Sequence, residues 1–140
     1  MSYTALEIAK YTINKCTRDN HPISNLQLQK ILYYIQKSFL QNGTEAFEDE
    51  IEAWQFGPVV PSVYYQYCGF GAMPIRMNYA TDINDIYLKI ILPIIDSKRI
   101  LDPWDMVEDT HEKGKAWDQI YKNGMGNHQV IPKSLIREKG

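Results

Sequence analysis

The stretch Ile51-Glu52-Ala53-Trp54-Gln55-Phe56-Gly57-Pro58-Val59-Val60-Pro61-Ser62-Val63-Tyr64-Tyr65-Gln66-Tyr67 decides how this chain folds. Five aromatic rings and two prolines crowd into it. Each proline holds φ near −65° and removes a backbone donor, and each pushes the preceding residue out of the helical region. Residues 57–61 are therefore expected to form a rigid extended connector. Pro61 suits the first turn of a new helix, where a missing N–H leaves no bond unmade, and that helix should run to Tyr67. Upstream, Ile51 and Ala53 alternate with Trp54 and Phe56, the pattern of a short strand, with a hairpin partner expected around Phe47. Val60 falls at the cap position of the helix and has no side chain to cap with. The N–H groups of Ser62, Val63 and Tyr64 are then expected to need another acceptor, such as a partner's carboxylate or carbonyl.

On either side of this joint the pattern is helical. In residues 4–17, Ala5, Ile8, Ala9, Thr12, Ile13 and Cys16 recur at helical spacing. Arg18-Asp19-Asn20-His21-Pro22 is a turn. A second helix opens at Ser24 with Gln27 three residues on, a capping box. Leu28, Ile31, Leu32, Ile35 and Phe39 give it an apolar stripe, and Asn42-Gly43 ends it. Residues 82–96 place Ile83, Ile86, Tyr87, Ile90, Ile91 and Ile94 on one side and Leu88, Leu92 and Ile95 on another. That predicts the central helix, buried over more than half its circumference and kinked or ended at Pro93. Asp102-Pro103 opens a further helix to about Thr110 or Glu112. After Gly114 a short one covers residues 115–121, and Gly124, Gly126 and Asn127 form a loop. Residues 132–139 make a last helix, docked through Ile131, Leu135 and Ile136. There is no repeat, low-complexity tract or linker. The expected architecture is one mainly α domain over residues 1–140, a compact helical domain with a small two- or three-stranded β element around residues 46–57.

Composition narrows the function. The 140 residues carry 15 basic and 17 acidic side chains, a net charge of −2. A general electrostatic grip on nucleic acid needs a basic stripe, so this balance argues against one. No apolar run reaches the ~18 residues of a membrane span, and no secretory signal is visible at the N-terminus. The expected location is the cytoplasm, with no membrane partner. Cys16 and Cys68 stand apart without a CxxC spacing, which fits two reduced thiols and no structural zinc. Ten tyrosines are many for this length, and tyrosine suits both interfaces and small cores.

No HExxH, phosphate-binding glycine loop or GxSxG occurs, so no cofactor or metal set is expected. His21 and His128 fall in loops, as solvated histidines. Glu108 lies three residues before His111, so the two could meet on one helix face. Such a pair serves either acid–base catalysis or the holding of a helix end, and no nucleophile accompanies it. Glu45, Glu48, Asp49, Glu50 and Glu52 set five carboxylates in eight residues. They make either a solvated loop or an electrostatic face for a basic partner. Trp54, Phe56, Val59 and Tyr64 likewise either fill a core around the bend or meet a partner directly. With no catalytic set, the chain is expected not to be an enzyme.

Leu28-Gln29-Lys30-Ile31-Leu32-Tyr33-Tyr34 resembles the "LQKLLYY" helix of the Panacea domain, the SocA-like, phage-associated antitoxin family. Residues 51–64 resemble that family's "IEAWxxGPVVPxVY" signature. Thr110-His111 followed by Trp117 resembles its "TH…PW" element, with Ala116 where the family has proline. The resemblance covers residues 4–122 and leaves 123–140 as a C-terminal extension. It makes Leu28, Lys30, Tyr33, Tyr34, Ala53, Gly57, His111 and Trp117 motif positions that set the fold. It implies a mostly helical fold with a small β element. It also implies an antitoxin of a bacterial or prophage toxin–antitoxin system, which neutralises a cognate protein toxin encoded nearby by direct contact. The candidate partner surface is Trp54, Phe56, Pro58, Val59, Pro61, Tyr64, Tyr65 and Tyr67, with Glu48 and Asp49. Two alternatives stand beside it: a phage-borne inhibitor or proteolytic adaptor that binds a host protease or defence protein, and an enzyme using His111 and Glu108.

Overall fold

A computed structural model describes residues 3–140. In chain order, α1 (Ala5–Arg18) and α2 (Asn25–Gln41) precede a hairpin of β1 (Glu52–Trp54) and β2 (Gly57–Val59). Then come α3 (Pro61–Tyr67) with a 3-10 turn (Cys68–Phe70), α4 (Asp85–Lys98), α5 (Pro103–Thr110) and α6 (Ala116–Tyr121). The strand β3 (Gln129–Val130) and α7 (Lys133–Lys139) close the chain. The fold is mainly α with one small antiparallel sheet, as the sequence predicts. No helix of the described residues is long and apolar enough to cross a membrane.

Helix α2 is the axis. It starts at the predicted capping box: Ser24 Oγ accepts from the Gln27 N–H, and the Gln27 side chain accepts from the Ser24 N–H at 2.9 Å. Thr4 and Glu7 form a second such box at the start of α1. Around α2 pack α1, α3, α4, α5, α7 and β2. Leu28, Ile31, Leu32, Ile35 and Phe39 are buried, as their spacing predicts. Asn25, Gln29, Lys30 and Gln36 are buried on the same helix, and their polar ends bond to the chain that wraps it. Gln36 Oε1 accepts from Ala46 N (2.8 Å) and its Nε2 donates to the Phe47 carbonyl (2.8 Å). Gln29 Oε1 accepts from Val60 N at 2.9 Å, and Asn25 Nδ2 donates to the Tyr64 carbonyl at 3.2 Å. Gln29 Nε2 and Asn25 Oδ1 join one another at 3.0 Å, which closes the set.

Three expectations are corrected here. The partner of β1 is not the chain around Phe47 but residues 57–59, with Trp54 opposite Gly57 and Ala53 opposite Pro58. The supposed connector is thus itself a strand. The chain reverses in two residues, Gln55 and Phe56, because Gly57 takes a φ of +120° that only glycine adopts without strain. Pro58 is tolerated because β2 is an edge strand in the order β2-β1-β3. Phe47 makes an isolated bridge to Tyr3 instead. The third strand comes from residues 129 and 130, outside the region expected to hold the β element. Finally, α4 is not the central helix. Only Ile91 and Ile95 on it are buried, while Ile86 is exposed, and Pro93 sits inside it without ending it. Its isoleucines encircle the helix, but α4 lies at the side of α2, so one face suffices for packing.

Gln36→Leu keeps the volume and strands two backbone N–H groups and a carbonyl in the core. Leaving such groups unmet costs on the order of 2–3 kcal/mol. We expect a matching fall in the urea midpoint with an unchanged denaturant slope.

Candidate functional site

The two-residue turn of the β1–β2 hairpin is gripped from several sides. The Trp54 carbonyl accepts from Trp117 Nε1 at 2.7 Å, and the Ala53 carbonyl accepts from the His128 N–H at 2.7 Å. The Phe56 carbonyl accepts from Lys30 Nζ. Lys30 is 0% exposed, and burial, with no neighbouring carboxylate to offset it, pulls its pKa down to about 7. Gly57 packs so closely that a Cβ there would overlap the Lys30 ammonium and crowd Thr110 Oγ1. Glycine at 57 is thus required by the turn, and a side chain there would also displace the lysine ammonium.

Behind the turn stands a column of three rings. His111 stacks on Trp117 at 3.6 Å between centroids and 9° between planes, and Trp117 stacks on Tyr121 at 4.5 Å and 17°. Burial, then the nearby Lys30, lowers the His111 pKa, while the Phe56 backbone and Asp118 act in the opposite direction. His111 Nε2 is buried and has no hydrogen-bond partner among the described residues. Glu108 is exposed and makes no hydrogen bond or ion pair with His111, so the two do not form the acid–base pair that their spacing allowed. Ala116 is the first residue of α6 after Lys115 as cap. Proline fits that position in general, so alanine leaves the turn geometry intact.

Beside the hairpin lies a groove of about 460 Å³, lined by Trp54, Phe56, Val59, Tyr64, Trp104 and His128 over a floor that includes Lys30 and Gln29. Trp54 stacks flat on His128 (4.3 Å, 15°) and meets Tyr64 at 4.9 Å. Phe56 and Trp104 meet edge to face at 5.5 Å and are 48% and 56% exposed; Tyr65, 62% exposed, flanks Trp54 at 5.9 Å. Of the residues expected to face a partner, the structure brings Trp54, Phe56, Tyr64 and Tyr65 to this surface. Pro58, Val59 and Tyr67 are buried, with the Tyr67 hydroxyl 2.9 Å from that of Tyr79, and Pro61 is half-buried.

Glu48 and Asp49 do not line the groove. Asp49 is used inside the fold: one oxygen accepts from Ala5 N (2.8 Å) at the start of α1 and the other from Ser62 Oγ (2.7 Å) on α3. Glu48 is exposed, and its carbonyl accepts from Lys133 Nζ at 2.9 Å. The N–H groups of Val63 and Tyr64 need no outside acceptor, because both donate to the Val60 carbonyl, at 3.1 and 2.9 Å.

Sequence reasoning missed His128 and Trp104. His128 lies in a loop at φ +69°, 74 positions from the ring it stacks on, and nothing local in the sequence announces that contact. Trp104 opens α5 as an exposed first-turn residue, and only the tertiary fold brings it to Phe56. The buried amides of α2 did leave a signal: positions 25, 29 and 36 share one helix face.

The profile of the antitoxin SocA-like, Panacea domain family matches residues 28–118. That span runs from α2 to α6 and holds the hairpin, Lys30 and the first two rings of the column, His111 and Trp117. The chain is similar to a protein named antitoxin SocA from Caulobacter vibrioides (strain NA1000 / CB15N). The two are 33% identical over 142 aligned positions, which cover 91% of this chain and 74% of that protein. No solved structure gives a significant match.

Lys30 has a measurable consequence. In the unfolded chain it stays protonated to about pH 10.5 and in the fold only to about 7. Between those values the unfolded state binds more protons, so stability rises with pH. From pH 7 to 9, below tyrosine ionisation, the unfolding free energy from urea titrations should climb by up to ~1.4 kcal/mol per pH unit. In Lys30→Met that climb should be largely lost.

Proposed function

This chain belongs to the SocA-like antitoxin family with its Panacea domain, and on that premise we propose that it is the antitoxin of a toxin–antitoxin pair, neutralising a cognate protein toxin by direct contact through the aromatic groove. One observation carries this reading. The family-like stretch at residues 51–64 both sets the joint and supplies Trp54, Phe56 and Tyr64 to the groove wall. Exposed, rigid aromatic side chains around a concave floor are the residue types that dominate protein–protein binding energy. A non-enzymatic role follows from the family reading, in which His111 serves as a packing ring stacked on Trp117 behind the hairpin.

Co-expression with the product of the adjacent reading frame tests the proposal. A stoichiometric complex that relieves toxicity is the expected result; no complex and no relief would sink it. Masking leaves the toxin's half-life in cells unchanged, whereas delivery to a protease shortens it. Phe56→Ala and Trp104→Ala should each leave stability within ~1 kcal/mol. Together they should weaken the complex by roughly 30-fold, the size of a hot-spot loss. Retention of full affinity in the double variant would move the interface elsewhere.

A further inference from the structure

Building on the antitoxin reading, we infer that the groove takes a segment of the protein partner that lays an apolar surface against Trp54 and Trp104 and directs a carboxylate to Lys30. The argument is one of charge complementarity. Lys30 is the one lysine or arginine among the groove-lining residues, and no aspartate or glutamate lines it, although the chain as a whole carries 17 acidic side chains to 15 basic. An ammonium has three donors, and the structure gives this one a single acceptor, the neutral Phe56 carbonyl. The surrounding wall is aromatic and amide: Trp54, Phe56, Tyr64 and Trp104 offer ring faces and edges, and Asn25 and Gln29 are already engaged with one another and with the backbone. A carboxylate is the group that supplies both missing features at once, opposite charge and acceptor-only oxygens.

Access runs through the hairpin turn. Lys30 is fully buried, with its ammonium against the Phe56 carbonyl and the Gly57 backbone at the end of the turn, whose residues Gln55 and Phe56 are exposed. The carboxylate replaces the Phe56 carbonyl as acceptor, and the turn shifts to admit it. Partner binding is then coupled to protonation. The free protein holds Lys30 half neutral near pH 7, while the paired lysine is charged. Above that pH the complex takes up a proton as it forms, and affinity falls as pH rises, by up to about tenfold per pH unit.

The test needs no knowledge of the toxin. Indole-3-propionate and its neutral analogue indole-3-propionamide share one ring and differ in the carboxylate. Each is titrated into the full chain while the indole N–H signals of Trp54 and Trp104 are followed by NMR. At pH 6.5 the carboxylate should bind about tenfold more tightly, and the advantage should shrink at pH 8.5 and vanish in Lys30→Met. In the wild-type protein, the side-chain signals of Lys30 should titrate at a higher pH once the carboxylate is present, a readout that does not depend on the variant folding. Equal affinity of the two probes, no response at either tryptophan, a preference that survives Lys30→Met, or an unmoved Lys30 titration would each overturn the inference. None of these outcomes bears on whether co-expression relieves toxicity, so the two proposals fail separately.

Discussion

The buried amides of α2 are the interaction on which the rest of the structure depends. A helix in the middle of a domain ordinarily offers its neighbours only apolar contact, which is non-directional. Here Gln36 holds the backbone at residues 46 and 47, Gln29 the N–H of Val60, and Asn25 the carbonyl of Tyr64. Three hydrogen-bonding side chains on one face thereby fix, in direction as well as distance, the segment that runs from the first loop through the hairpin to α3. The groups at residues 46, 47 and 60 lie outside the helices and strands, where the regular bonds of helix and sheet do not reach them. In a low-dielectric interior each would otherwise be an unmet and costly polar group.

With its flanks fixed, the hairpin can present a turn that would not stand alone. β1 and β2 have three residues each, too little for an independent hairpin in water. The turn carbonyls of Trp54 and Phe56 are taken by Trp117 and Lys30, and β3 adds a third strand from far along the chain. Lys30 is the exception to good pairing. It is a buried cation whose acceptor is a neutral carbonyl, with His111 close enough to feel its charge. Polar groups held this way depart from the general rule that interior charges are paired. Such departures concentrate at sites that do something beyond holding the fold.

Legibility in the sequence followed the range of the interaction. Ser24 with Gln27, Asp102 before Pro103, and Pro61 as a first helical residue are decided within one helical turn, and all three are found as predicted. The apolar stripe of α2 was equally legible. The rank of α4 was not. Its run of isoleucines indicates burial all round, but hydrophobic pattern records what a helix can bury, not where it sits. The hairpin partner was misassigned for a related reason. Pro58 marks residues 57–59 as poor strand material unless they lie at an edge, and edge status depends on β3, some 70 residues later. At the candidate site, Trp54, Phe56, Tyr64 and Tyr65 were visible as an aromatic cluster. Which of their neighbours were buried, and that Trp104 and His128 complete the wall, were not.

The sequence by itself determined the helix starts at Ser24, Pro61 and Asp102 and the family, because these rest on local dihedral limits, capping chemistry and contiguous motifs. Only the tertiary structure decided that α2 is the axis, that Asp49 ties α1 to α3 instead of facing outward, that Glu108 and His111 stay apart, and that Lys30 lies buried under the turn. The ties of Asp49 and Lys30 join groups 13 to 44 positions apart in the chain, where neither spacing nor composition specifies which residue will be opposite which. Close packing around α2 selects the partners, and with them the surface.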